Sequence, residues 1–128
     1  MTIDLFEKTL LDIYSVDTCS PLCKDIWSKD NPTMGHCAIV AILFYDYFGG
    51  EIYKNEVDGI VHYFNLIDNK IIDLTTSQFN KEIDYSVKRK KEKDDILRIQ
   101  ETLYRYNLLK ERLELALTKK GVDPNEWN

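Results

Sequence analysis

No stretch of this 128-residue chain approaches the ~20 consecutive apolar residues that cross a bilayer, so a membrane-spanning role is excluded and no membrane partner is expected. The opening Met1-Thr2-Ile3-Asp4 has neither the basic nor the apolar region of a secretory signal, which points to the cytoplasm. Cysteine is scarce and odd in number, at three residues. That fits a reducing compartment better than a disulfide framework. There is no internal repeat and no low-complexity segment. Histidine occurs only twice, as His36 and His62. What is present is ordinary globular material: 44% hydrophobic, 12% aromatic and 30% charged residues. This is too apolar and too aromatic for a disordered chain. It is enough for one core, so a single domain over 1–128 is expected without a stapling metal or disulfide.

The net charge of −5 is unevenly spread. Residues 1–80 carry 5 positive and 12 negative side chains, whereas residues 81–120 carry 12 positive and 8 negative. The positive excess is concentrated at Lys88, Arg89, Lys90, Lys91 and Lys93. Such a run can grip nucleic acid, but Glu92, Asp94 and Asp95 dilute it. A solvated linker or helix face is the simpler reading, and nucleic acid is not expected as a partner.

Ile3, Phe6, Leu10, Ile13 and Tyr14 recur at helical spacing, which predicts an amphipathic helix over 3–16. Residues 17–32 are irregular, with Pro21 and Pro32 as breakers. Residues 37–48, CAIVAILFYDYF, are apolar on every side and stop at Gly49-Gly50, the pattern of a buried helix. Three strands are expected next, at 51–55, 60–67 and 70–74, with Asp68-Asn69 as a two-residue hairpin turn. From 94 to 120 the helical period returns through Ile96, Ile99, Leu103, Tyr106, Leu109, Leu113 and Leu117, and predicts one long final helix packed on the rest.

The chemistry centres on Cys37. It sits where a glycine turn becomes a helix, and the first amides of a helix lack intrahelical partners and face a positive dipole end. A thiolate, the nucleophilic form, is stabilised at such a place. In isolation a cysteine in an apolar run is more often a small buried hydrophobe. The hairpin changes that balance. If Ile67 pairs with Lys70, Asp73 falls opposite Phe64, and His62 shares the face of Phe64. His62 and Asp73 are then diagonal neighbours within side-chain reach. An aspartate on one imidazole nitrogen sets the tautomer and leaves the other nitrogen free as a base. A register slip of one residue would separate them, and the pair would then be a surface histidine and a turn aspartate.

The segments DNPTMGHCAIVAILFYDYFGGEI, VHYFNLI and IIDLTTSQF resemble the bacterial YunG-like family. Its members look like small relatives of papain- and transglutaminase-like cysteine enzymes. The family pattern runs N-P-x-x-G-Q-C, D-Y-F-G-G-E-I, a histidine before an aromatic and asparagine, I-D-L-T, and R-Y-x-L-L. The last is matched by Arg105, Tyr106, Leu108 and Leu109. The resemblance, from about Trp27 to Arg112, implies an α+β fold with a papain/transglutaminase-like core. In it a buried cysteine helix packs on a small antiparallel sheet, between N-terminal and long C-terminal helices. It implies Cys37 as nucleophile, His62 as general base and acid, and Asp73 as the group orienting His62. His36 stands where the pattern has glutamine, and could serve an oxyanion only through an N–H in the right tautomer; otherwise it is a helix-start residue partly exposed to solvent. Asn31, six residues before Cys37, is the other side-chain candidate for an oxyanion hole or else a turn residue. The backbone amide of Cys37 is the simpler donor.

Cys19 and Cys23 form a C-x3-C pair without the further ligands a zinc site needs, so no metal and no cofactor is expected. Trp27 and Tyr63 are either cleft-lining or core aromatics, and Thr75-Thr76-Ser77 reads as a turn leaving the last strand. The expected function is a cysteine-dependent hydrolase or acyl transferase acting on an amide or peptide-like bond of a small molecule, peptide or protein. The alternative is a catalytically silent binding or interaction module of the same fold.

Overall fold

The structure, a computed structural model, describes residues 1–124. Helix α1 runs Ile3–Ile13 and is capped by Thr2, whose side-chain oxygen accepts the N–H of Leu5 at 3.1 Å. Phe6 and Leu10 bury its apolar stripe. The helix stops short of the expected residue 16. Tyr14 turns extended, and the Ser15 N–H goes to the hydroxyl of Thr18 at 3.3 Å. Short polar side chains offering local bonds of this kind compete with helix. Arg112 then pins the loop through Asp17, at 2.6 and 3.0 Å.

Residues 17–36 are irregular apart from a 3-10 turn at Pro21–Cys23. Helix α2, Cys37–Phe48, has the bounds its composition implies and buries seven of its residues, among them Ile39, Ile42, Leu43 and Phe44. After it, a Cβ on Gly50 would come 2.5 Å from the Leu66 carbonyl. Only glycine lets the chain start a strand so close to its neighbour.

The sheet is antiparallel with order β3-β2-β1-β4. Strands β1 (Glu51–Val57) and β2 (Ile60–Ile67) turn at Asp58-Gly59, and β2 turns into β3 (Lys70–Ile72) at Asp68-Asn69. All four turn residues have positive φ, the backbone of a tight two-residue hairpin. Ile67 pairs with Lys70 and Asn65 with Ile72, the register inferred from the sequence. Strand β1 runs two residues past its expected end. β3 stops two residues early, because the Asp73 carboxylate takes the N–H of Thr75 at 3.2 Å and bends the chain out of the ladder.

Two expectations fail in the C-terminal third. The basic run is neither the solvated linker nor the helix face expected over its centre: Arg89–Lys91 form strand β4 on β1, and Lys90 pairs with Glu51 at 3.0 Å. Lysine suits this outer position, because charge on an edge strand discourages further pairing. The final helix is also not continuous. A short α3 (Lys93–Ile96) is followed by α4 (Gln100–Lys119), with Ile99 in extended backbone between them. Ile96 is buried, but Ile99 is 61% and Leu103 38% exposed. The stripe that enters the core is Tyr106, Leu109, Leu113 and Leu117.

Helices α1, α2 and α4 share one core with Ile52 of the sheet. The Asn65 side chain donates to the Ala41 carbonyl at 2.9 Å, so α2 lies on that face of β2. Phe64 points the other way, where Tyr85 packs on it at 4.9 Å. Among the described residues no helix is long and apolar enough to cross a membrane.

Candidate functional site

The site forms where the short edge strand β3 ends. There the turn ahead of α2 meets residues 75–78, through Thr33 and Ser77 hydroxyls at 2.7 Å and the Gly35 N–H on Oε1 of Gln78 at 3.3 Å. Gly35 has φ +75, and a Cβ on it would come 2.9 Å from the Ser20 nitrogen. The close turn thus requires glycine. Buried Arg105 secures it by donating to the carbonyls of Thr18 (3.3 Å) and Gly35 (3.4 Å) while paired with Glu101.

Cys37 is the first residue of α2 and is half-buried. Among the described residues no acceptor takes its N–H, as expected of the first position of a helix. His62, on β2, is fully buried. Its Nε2 lies 2.6 Å from Oδ2 of Asp73, whose side chain is 3% exposed. Cys37 lies near enough to raise the basicity of the ring, and Nδ1, the nitrogen not on Asp73, lies 3.5 Å from the Gln78 side-chain nitrogen. The structure therefore brings Cys37, His62 and Asp73 into one neighbourhood.

The carboxylate is held from several sides. Oδ2 also accepts from the Tyr85 hydroxyl at 2.8 Å, and Oδ1 accepts the N–H and hydroxyl of Thr75 at 3.2 and 3.4 Å. Phe79 meets the imidazole edge-on at 4.9 Å. Burial by itself would depress the basicity of His62. The hydrogen bond and charge of Asp73, with the nearby Cys37, outweigh it and raise the pKa to about 9. At neutral pH the ring is an imidazolium. Burial and the Asp73 hydrogen bond push the Tyr85 phenol well above its ordinary range, so it stays a donor.

The expectation for His36 is corrected. It is fully buried rather than partly exposed. Its Nδ1 lies 2.9 Å from the Met34 carbonyl and its Nε2 2.7 Å from the Thr18 hydroxyl. A carbonyl only accepts, so Nδ1 carries the proton and Nε2 accepts from Thr18. No N–H remains for an oxyanion. Burial lowers its pKa to about 4 and keeps the ring neutral; it ties the loop at Thr18 to the start of α2. Asn31 closes a turn with its backbone, and its side-chain oxygen is buried without a partner. No described hydrogen bond joins it to Cys37 or His62.

Two residues of the site were missed in the sequence. Gln78 and Tyr85 lie beyond the Thr75-Thr76-Ser77 turn, in a stretch without the spacing of any motif. The signal available for Gln78 was its place in IIDLTTSQF, five residues after Asp73. A 3-10 turn at Thr76–Gln78 brings it back to the histidine. Of the aromatics, Tyr63 feels Cys37 electrostatically, and Trp27 donates to the Pro32 carbonyl at 3.0 Å. Cys19 and Cys23 are free thiols packed around Gly35. Among the described residues no group of three or more His, Cys, Asp or Glu is placed to hold a metal ion.

These residues all fall within the span, 2–118, over which the chain matches the family described as YunG protein. The chain belongs to the YunG family. Over 59 residues it is 37% identical to a protein of Bacillus subtilis (strain 168) named "Uncharacterized protein YunG", covering 46% of this chain and 51% of that relative. The chain thus spans about half the length of the curated relative it matches. No solved structure matches it. For this YunG-family chain, then, the chemistry has to be argued from the site itself.

Proposed function

We propose that this YunG-family chain is a cysteine-dependent hydrolase or acyl transferase acting on an amide or peptide-like bond, built on a papain- or transglutaminase-like core. The observation that carries the reading is the buried 2.6 Å bond from His62 to Asp73, with Cys37 near enough to raise the basicity of the same ring. A charged pair taken out of water needs good geometry and further hydrogen bonds to persist. Here Tyr85 and Thr75 supply them. A buried histidine with so perturbed a proton affinity beside a cysteine is the kind of pair that serves a nucleophile and its proton carrier.

In this reading the Cys37 thiolate attacks the carbonyl carbon. His62 gives its Nδ1 proton to the departing amine, leaving a thioester and neutral imidazole. His62 then takes a proton from water or a second amine as that group attacks the thioester. Asp73 keeps the Nε2–H tautomer throughout. Whether water or an amine completes the cycle distinguishes hydrolase from transferase.

The test is alkylation of Cys37 by iodoacetamide, followed residue by residue in a mass spectrometer across pH. Cys37 is expected to react at pH 6–7 well ahead of glutathione, and His62→Gln to remove that advantage. A Cys37 that reacts no faster than glutathione, or is indifferent to His62→Gln, overturns the reading.

A further inference from the structure

Attack on a carbonyl creates a negatively charged oxygen, and the site must meet it with donors. The Cys37 N–H is one. The residues first considered for a second do not supply it: His36 has spent both ring nitrogens inside the protein, and Asn31 makes no described hydrogen bond to the site.

Gln78 is differently placed. Its Oε1 accepts the Gly35 N–H at 3.3 Å, which orients the amide with its nitrogen towards the histidine. That nitrogen lies 3.1 Å from the Thr75 hydroxyl oxygen and 3.5 Å from Nδ1 of His62. An amide nitrogen has two hydrogens. One is used on Thr75. The other is directed at Nδ1, the ring nitrogen not on Asp73, and a neutral ring could accept it, weakly at that length. When His62 is an imidazolium, Nδ1 carries a proton of its own and accepts nothing. Charging the histidine therefore leaves one Gln78 N–H without an acceptor, on a half-buried residue that also holds the Gly35 N–H two residues before Cys37.

We propose that the Gln78 side-chain amide is the second oxyanion donor of this site, acting with the backbone N–H of Cys37. The inference rests on the acyl-transfer reading above and adds a residue to it. As the C–S bond forms, the carbonyl π pair moves onto oxygen, and that oxygen accepts from Gln78 and Cys37. When the pair returns, the C–N bond breaks and the amine leaves with the His62 proton. Nδ1, now bare, becomes an acceptor for Gln78 again, so the donor is free while the tetrahedral intermediate exists and is reclaimed after it.

The experiment compares two reactions of the same sulfur. Acylation by p-nitrophenyl acetate passes through an oxyanion, whereas alkylation by iodoacetamide occurs at a saturated carbon and has none. Gln78→Glu keeps an acceptor for the Gly35 N–H but removes the donor. It is expected to slow acylation of Cys37 by about 10²–10³-fold, the usual loss for one oxyanion donor, while alkylation stays within about threefold or becomes faster. Gln78→Met, a neutral side chain of similar size, should show the same split; it serves if the carboxylate prevents folding, and thermal melts confirm that each variant is folded. Equal losses in both reactions would mean that Gln78 only positions the site, and unchanged acylation would mean that it does nothing there; either overturns the proposal. A wild-type Cys37 that resists acylation, or is alkylated no faster than glutathione, overturns instead the reading beneath it.

Discussion

His62 and His36 show how the same side chain is driven in opposite directions by its partners. Both are fully buried, and burial alone disfavours a charged imidazole. His62 meets a carboxylate and a thiol, and its proton is retained up to a pH of about 9. His36 meets a carbonyl and a hydroxyl, neither able to neutralise a charge, and it loses its proton at about 4. Replacing Asp73 with Asn keeps the size of the His62 partner but removes its charge. The titration of His62, followed by NMR of the ring, should then fall from about 9 towards or below 6.5. Cys37 alkylation at neutral pH should slow at least tenfold. An unchanged titration would mean that Asp73 does not control the ring. Position 36 could not be judged from its neighbours in sequence, because Thr18 reaches it across 18 residues.

Among the elements, the hairpin was the most legible and the final helix the least. The turn Asp68-Asn69 and the alternation beside it determine the β2–β3 register locally. That register is what puts His62 and Asp73 within reach. The last helix has a periodic pattern, and a period does not say where a helix breaks or which members of the stripe find a partner. Ile99 and Leu103 keep the spacing and still face solvent, because none of the described elements covers them. Truncation should separate the two cases. Leu113→Ala, at a fully buried position, is expected to cost about 2–5 kcal/mol in urea unfolding. Leu103→Ala should cost well under about 1 kcal/mol. Equal losses would mean that Leu103 is packed after all. At the cysteine turn, Gly35→Ala adds a Cβ 2.9 Å from the Ser20 nitrogen on a backbone with φ +75. It should lower the urea midpoint and the Cys37 alkylation rate together.

For the molecule as a whole, the two histidines set a window of stability from opposite sides. A group whose folded pKa is raised binds more protons when folded, so its contribution is complete below the unfolded value and is lost as pH rises to the folded value. For His62 that loss runs from 6.5 to about 9, with Asp73, Cys37 and, through Asp73, Tyr85 as the groups that face it. For His36 the folded pKa is lowered, so the unfolded chain takes up the extra proton and stability falls as pH drops from 6.5 to about 4. Each shift corresponds to roughly 3 kcal/mol. Urea midpoints measured from pH 4 to 9.5 should therefore peak near 6.5. His62→Gln should flatten the alkaline side and leave the acid side standing, and a profile with no alkaline fall would contradict the assignment for His62. The charge imbalance along the chain also resolves at this scale, since basic β4 lies on acidic β1 and Arg112 reaches Asp17 from the far end.

The sequence by itself determined α2, the hairpin register and the pairing of His62 with Asp73. All three follow from local rules: an apolar run with a glycine stop, a two-residue turn, and the two-residue period of a strand. Only the tertiary structure decided what stands around that pair. Gln78 and Tyr85 reach the site because residues 75–85 fold back over β2, His36 is turned away by a loop 18 residues earlier, and Arg105 grips the cysteine turn from 70 residues away. Contacts of this kind depend on which surfaces remain uncovered once the helices and sheet have packed, and no local pattern of residues encodes that.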